Sequence, residues 1–308
     1  MTGHRRTLRT LLAVAIAVVL IGDAFAFVRG LGRTNPVTLS EAVREYRVAT
    51  GGEAPTATTS TTVTTIGRVP VAATAAATAA ATGAVRASRT RSVGTAAPAL
   101  PPPDFIPTPR PGVYSYDTSG TEHVDVLGGQ SHTYPAVSYI TFAASACGDD
   151  VRWTPLQQRW DEYDYCAAGR ALLLRRYTAY HNFFGQSDTK VYICPAGAYI
   201  RPPVDRVGAD YHSHCTGNGL AEDTILHTVG VEILDVGGVA VPALHVRADQ
   251  IATGAVTGRR VIDAWWSLAD NLLVRFVSSA DARGSTAFGD THYQEHVTLG
   301  LRSLTPQQ

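Results

Sequence analysis

Apolar positions follow three rhythms along this chain. Residues 10–28 are almost continuously apolar, residues 38–47 repeat at helical spacing, and much of the chain beyond residue 112 alternates with the period of two that strands require. In the last run, His292–Leu304, Tyr293, Val297, Leu299 and Leu301 share one face, with Glu295 intruding on it. His292, Gln294, His296, Thr298 and Arg302 take the other. That pattern predicts a half-buried strand. Leu272, Val274 and Phe276 lie opposite Leu273 and Val277, so the run Asn271–Ser278 is apolar on both faces apart from Arg275. Further runs fall at Thr224–Val236, Val239–Arg247 and Arg259–Leu268. The first two are joined by Gly237-Gly238, a hairpin signal, and Pro242 marks an edge or bulge in the second. Earlier runs are Val113–Tyr116, Ala136–Ala143, Arg159–Cys166 and Leu172–Tyr180; the last also fits helical spacing through Leu173, Tyr177 and Tyr180. Strands covered on one side beside strands covered on two predict an all-β, mainly antiparallel domain over 112–308. Its form is a curled sheet, half-barrel or barrel.

The apolar stretch 10–28 spans roughly 29 Å as a helix, enough for a bilayer core. Arg5, Arg6 and Arg9 precede it, which puts residues 1–9 in the cytoplasm and everything after Val28 outside. It reads as a single-pass transmembrane signal anchor. The alternative is a signal peptide cleaved after Ala26, at the pattern Ala24-Phe25-Ala26. Within 29–48, Thr38 and Glu41 form a capping box, and Leu39, Ala42, Val43 and Tyr46 share a helical face, so a short juxtamembrane helix is expected as an amphipathic continuation of the anchor. Residues 49–111 are rich in Ala, Thr and Pro and bury too little apolar surface to offset chain entropy. They predict a disordered linker reaching about 45 Å as a flexible coil.

Charge divides at the same boundary. Residues 1–111 hold 12 Arg and 5 acidic residues, whereas residues 112–308 hold 13 Arg, the single Lys190 and 21 acidic residues. The formal net charge of zero is therefore a cancellation, and the acidic domain is a poor match for nucleic acid.

Cys147, Cys166, Cys194 and Cys215 form an even set in an exported domain, which predicts two disulfides. The sequential pairing is favoured because each bond closes a short segment between predicted strands. A chelating pair at His212 and His214 is set aside because Cys215 would forgo its disulfide and Gly217-Asn218-Gly219 marks a turn. His292-Tyr293-Gln294-Glu295-His296 matches an inverted zinc-protease motif, but that chemistry needs a helix. On a strand the two histidines stand about 13 Å apart and Glu295 faces away from them. Glu162 and Asp164 share a strand face as a nominal acid pair, and Trp265-Trp266 put one indole on each face of their strand. The chain has no G-x-S-x-G, P-loop or G-x-G-x-x-G. No catalytic residue, metal ligand or cofactor site is assigned, and no ligand-binding residue is identified.

Pro111-Gly112-Val113-Tyr114-Ser115-Tyr116, Asp125-Val126-Leu127-Gly128-Gly129, Arg159-Trp160-Asp161-Glu162, Phe183-Phe184-Gly185-Gln186 and Tyr192-Ile193-Cys194 together resemble a group of uncharacterised actinobacterial exported proteins with the same anchor, linker and β-domain layout. More loosely, the C-terminal meander is similar to the curled sheet of carriers of the lipoprotein-localisation-factor type, in which a half-barrel holds an acyl chain. The expectation is a non-catalytic, membrane-tethered envelope protein whose partner is a lipid or a cell-wall component. An exported metal-dependent hydrolase and a structural interaction module of the envelope are the alternatives.

Overall fold

The computed structural model of the chain describes residues 34–52, 106–286 and 289–307. The apolar segment 10–28 and the low-complexity stretch 53–105 lie outside the described residues. Among the described residues no helix is long and apolar enough to cross a membrane.

Among the described residues thirteen antiparallel strands follow one another: β1 (Gly112–Val124), β2 (Gln130–Thr133), β3 (Val137–Ala144), β4 (Gly148–Leu156), β5 (Arg159–Ala168), β6 (Ala171–Phe183), β7 (Gln186–Arg201), β8 (Asp210–Gly217), β9 (Leu220–Val236), β10 (Val239–Gly254), β11 (Val256–Ser267), β12 (Leu273–Thr286) and β13 (Gly289–Leu301). Each of β3 to β13 pairs with its neighbour in sequence, and β13 returns to pair with β1 from Tyr116↔Leu301 to Val124↔Tyr293. Of the forms the alternation predicts, the sheet takes the closed one. It is a twelve-stranded barrel, with β2 as an extra strand on the upper half of β1, where Glu122 faces His132. The lower half of β1 pairs with β3. The run Leu172–Tyr180 is a strand, not a helix, because β5 and β7 flank it on both sides.

Local chemistry explains the turns. Gly237 and Gly238 both take positive φ, 60° and 85°, as the two-residue turn between β9 and β10 requires. Pro242 sits in β10 just beyond the stretch that β11 pairs, which begins at Ala243↔Ser267, so its missing N–H breaks no ladder bond there. On β12 a register shift at Trp265/Trp266 skips Val274 and changes the phase of the alternation, which is why that strand reads as apolar on both faces.

Helix α1 (Leu39–Ala49) starts with the capping box of Thr38 and Glu41. It does not stand apart as an amphipathic stub. Its apolar face packs on the outer wall of the barrel, where Val37 and Ala42 are buried against Val113, with Leu39, Val43, Tyr46 and Tyr139 around them. Ile106 is already buried and donates its N–H to Gly169, so ordered contacts begin before residue 112.

The disulfides are Cys147–Cys166 and Cys194–Cys215, the sequential pairing. The second bridges β7 and β8, whose ladder holds a single paired position, Ile193↔Thr216. It therefore staples the least hydrogen-bonded seam of the barrel.

Candidate functional site

Twelve strands enclose a wider lumen than the eight that side chains just fill, so the interior needs large side chains or holds space. Both are found. The lower part is packed with aromatic and aliphatic residues, among them Tyr116, Phe142, Leu244 and Trp266. The upper part is crossed by a layer of charge.

That layer follows from register. Even-numbered residues of β1 and odd-numbered residues of β13 point inward, and Glu122 falls directly opposite Glu295. Two carboxylates facing each other in a barrel would repel unless a cation joined them. Arg159 of β5, 1 % exposed, supplies it. Its Nη2 lies 3.2 Å from Glu295 and its Nε 3.5 Å from Glu122, while Nη1 and Nη2 donate to Asp161 at 2.6 and 2.9 Å. Glu122 also accepts from His132 Nδ1 at 2.7 Å, His181 Nδ1 at 2.9 Å and the Tyr293 hydroxyl at 3.0 Å. The Tyr134 hydroxyl donates to Glu295, and those of Tyr163 and Tyr177 donate to Asp161. Arg260 reaches in from β11 to the Tyr177 hydroxyl at 3.3 Å.

Burial alone pushes the Glu122 carboxyl up, but His181, the hydrogen bonds from both histidines and Arg159 together hold it well below the usual carboxylate range. Asp161 is likewise raised by burial and brought below its ordinary value by Arg159. Burial, reinforced by the carboxylates, pushes the phenols of Tyr134, Tyr163, Tyr177 and Tyr293 up, so they stay neutral donors. The chemistry of this layer is mutual satisfaction. Its acids are spent on internal partners, which suits a rigid partition rather than a general base.

The charged layer separates two hollows. Below it lies a cavity of about 110 Å³ whose walls include Phe142, Trp153, Ile262 and Phe276, with Tyr177 and Arg260 on the side of the layer. Two polar atoms of residues lining it have no partner among the described residues, Trp266 Nε1 and Gln250 Oε1. Gln250 Nε2 donates to Glu222, whose carboxyl is raised chiefly by burial.

Above the layer, at the mouth, lies a hollow of about 400 Å³. The ends of β1, β6 and β12 and the starts of β7, β11 and β13 meet there, as antiparallel order dictates. Val124, Val126, Phe183, Phe184, Val256 and Tyr293 give it apolar and aromatic walls, Asp188 and Lys190 add charge, and the His181 imidazole lies beside them. Phe184 and Gly185 form the β6–β7 turn with φ of 54° and 74°. A turn of this kind favours Asn-Gly, and a bulky residue held at positive φ costs roughly 1–3 kcal/mol. The strained residue lines the hollow.

The residues singled out from sequence fall elsewhere. His292 and His296 lie on the outer face of β13, bonded to Asp281 at 2.8 Å and the Ser279 hydroxyl at 2.9 Å, while Glu295 points inward. The inverted protease motif is not assembled. His212 and His214 are both exposed on β8, and His214 pairs with Asp223. Among the described residues no three His, Cys, Asp or Glu side chains form a group that could hold a metal ion. Glu162 lies on the outer wall with Arg152 at 3.3 Å, and Asp164 shares its face, beside Asp150. The buried acid of that strand is Asp161. Trp266 points into the lumen, and Trp265 on the opposite face stacks on His245 and donates to Glu232. Glu122, His181 and Lys190 carried no sequence motif; only the intrusion of Glu295 on an apolar face pointed to the inner layer.

No family model matches the chain, and no curated protein matches it. Among solved structures it is similar to the hypothetical lipoprotein YmcC from Escherichia coli (K12), at 10 % identity over 58 % of this chain and 85 % of that one, with a TM-score of 0.24. That degree of likeness carries no argument about this protein.

Proposed function

We propose that this chain is a non-catalytic, membrane-tethered protein of the cell envelope whose barrel holds an apolar or amphiphilic ligand. The observation that carries this reading is the pair of hollows inside the barrel. One is apolar and internal, the other apolar with charged groups at its rim and open at the mouth. A mouth hollow of about 400 Å³ is within the range of small-molecule sites. The two disulfides support an oxidising, extracytoplasmic location. The apolar segment 10–28 supports tethering. A non-catalytic role is supported by the charged layer, whose acids bond to internal partners, and by the histidine pairs that stand on the outer wall.

The test is native mass spectrometry of the full chain, gently released from detergent. The reading expects a one-to-one adduct, co-purified or formed when a twelve-carbon acid, alcohol or ammonium amphiphile is offered. Failure to retain any of them overturns it.

A further inference from the structure

The β6–β7 hairpin places the only lysine of the chain at the mouth of the barrel. Lys190, Tyr192 and Cys194 alternate along the inner side of β7, and Lys190 lies opposite the buried Ala179 of β6. The Lys190 side chain keeps 33 % exposure where it lines the mouth hollow. Its partner is Asp188, two residues away on the same strand at 3.1 Å, with a side chain 58 % exposed. A pair so open to water is weak and readily exchanged for another anion.

Beside it, His181 has its Nδ1 tied to Glu122, and its other ring nitrogen has no partner among the described residues. The tie fixes Nδ1 as the donor. Against these polar groups lie Phe183, Phe184, Val124 and Val256, and Phe184 is kept in a left-handed turn that an asparagine would adopt with less strain. Phe183 is itself fixed by stacking on His132, ring centroids 4.6 Å apart. The charged layer closes the floor. The hollow therefore has an apolar wall, a cationic group facing it and a charged floor.

We propose that the mouth hollow is a binding site for an anionic amphiphile, its chain laid on Phe183, Phe184, Val124 and Val256 and its acidic head held by Lys190, with His181 beside it. This rests on the reading of the barrel as a ligand-binding module and names the ligand's chemistry. The acid displaces Asp188 from Lys190, and the charge-assisted hydrogen bond then forms in drier surroundings than the pair it replaces. A cationic amphiphile would instead seek Asp188 and the ring faces, which makes it the informative competitor.

Because Lys190 is unique, reductive ¹³C-dimethylation of the full chain labels one side chain besides the N-terminal amine, and keeps its charge. Dodecanoate, dodecanol and dodecyltrimethylammonium are titrated in turn. The expected result is a saturable shift of the Lys190 resonance with dodecanoate, and affinity about tenfold higher for the acid than for the alcohol. Lys190→Gln abolishes that preference, and Lys190→Arg retains it. Phe184→Asn weakens both ligands several-fold without lowering the melting temperature. Equal affinity for acid and alcohol, or tightest binding of the ammonium compound, overturns this inference and leaves the ligand-binding reading standing. Binding of none of the three overturns both.

Discussion

Glu122 and Glu295 face each other across the β1–β13 ladder inside the barrel, and one guanidinium, that of Arg159, touches both. The seam that closes the barrel thus carries two of the three buried carboxylates that Arg159 joins. A β-seam lined by opposed carboxylates holds only while the cation between them is present.

Replacing Arg159 is therefore expected to be among the most damaging single changes. Arg159→Met leaves three buried carboxylates without their shared donor and lowers stability by about 3–5 kcal/mol, read from urea unfolding of the full chain. Arg159→Met combined with Glu122→Gln, Asp161→Asn and Glu295→Gln recovers part of that loss. If Arg159→Met does not fold, the combined variant still reports, because it removes charge and counter-charge together. A loss under 1 kcal/mol for Arg159→Met would contradict this bridging role of the guanidinium.

Acid should act through the same layer. Glu122 and Asp161 both have folded values below their ordinary 4.5 and 3.8, so the unfolded chain binds protons more readily than the barrel. Their contribution is complete above those ordinary values and is lost as the pH falls through the depressed folded ones. Melting temperatures followed by circular dichroism should therefore drop steeply only below about pH 4. Glu122→Gln should flatten that drop.

Asp149 works in the opposite direction. Burial, helped by Asp150, raises its carboxyl from 3.8 to about 6, and its Oδ1 has no partner among the described residues. Between those two values the folded state binds the proton more tightly, so this group adds stability as the pH falls through about 6. Asp149→Asn should raise stability at pH 7.5 by on the order of 1 kcal/mol and remove the gain between pH 7 and 5. Destabilisation at pH 7.5 would show that the carboxylate is needed as a charge.

The two disulfides close loops of similar length, with separations of 19 and 21 residues, so the chain-entropy view assigns each about 3 kcal/mol. Their places differ. Gly148↔Cys166 lies in a ladder of paired positions between β4 and β5, whereas Cys194–Cys215 crosses a seam with one. Removing Cys194–Cys215 as a double alanine variant should speed amide exchange in β7 and β8 well beyond the change caused by removing Cys147–Cys166. Equal, uniform effects would contradict the stapled seam.

Much of the barrel was legible in the sequence because period-two alternation survives wherever one face is wet. β13 shows this, where Glu295 broke an apolar face and is the residue the structure buries. Gly237-Gly238 and the cysteine pairing were equally readable. The inner layer was less so. Arg159-Trp160-Asp161-Glu162 carries charge on both faces, so alternation identifies a strand without saying which face is inside. Glu162 and Asp164 stood out as a pair, and the buried acid is their neighbour Asp161. The mouth hollow was hidden for another reason. Val124, Phe184, Val256 and Tyr293 are brought together by the shared end of six strands, a proximity that no local spacing encodes.

If the barrel's mouth receives an amphiphile, hydrogen exchange of the full chain with and without dodecanoate reports it at the mouth. Slowed exchange is predicted at residues 181–190, with smaller effects at 122–126 and 291–293 and none along β9 and β10. Unchanged exchange at 181–190, or protection confined to residues 10–28, would contradict it.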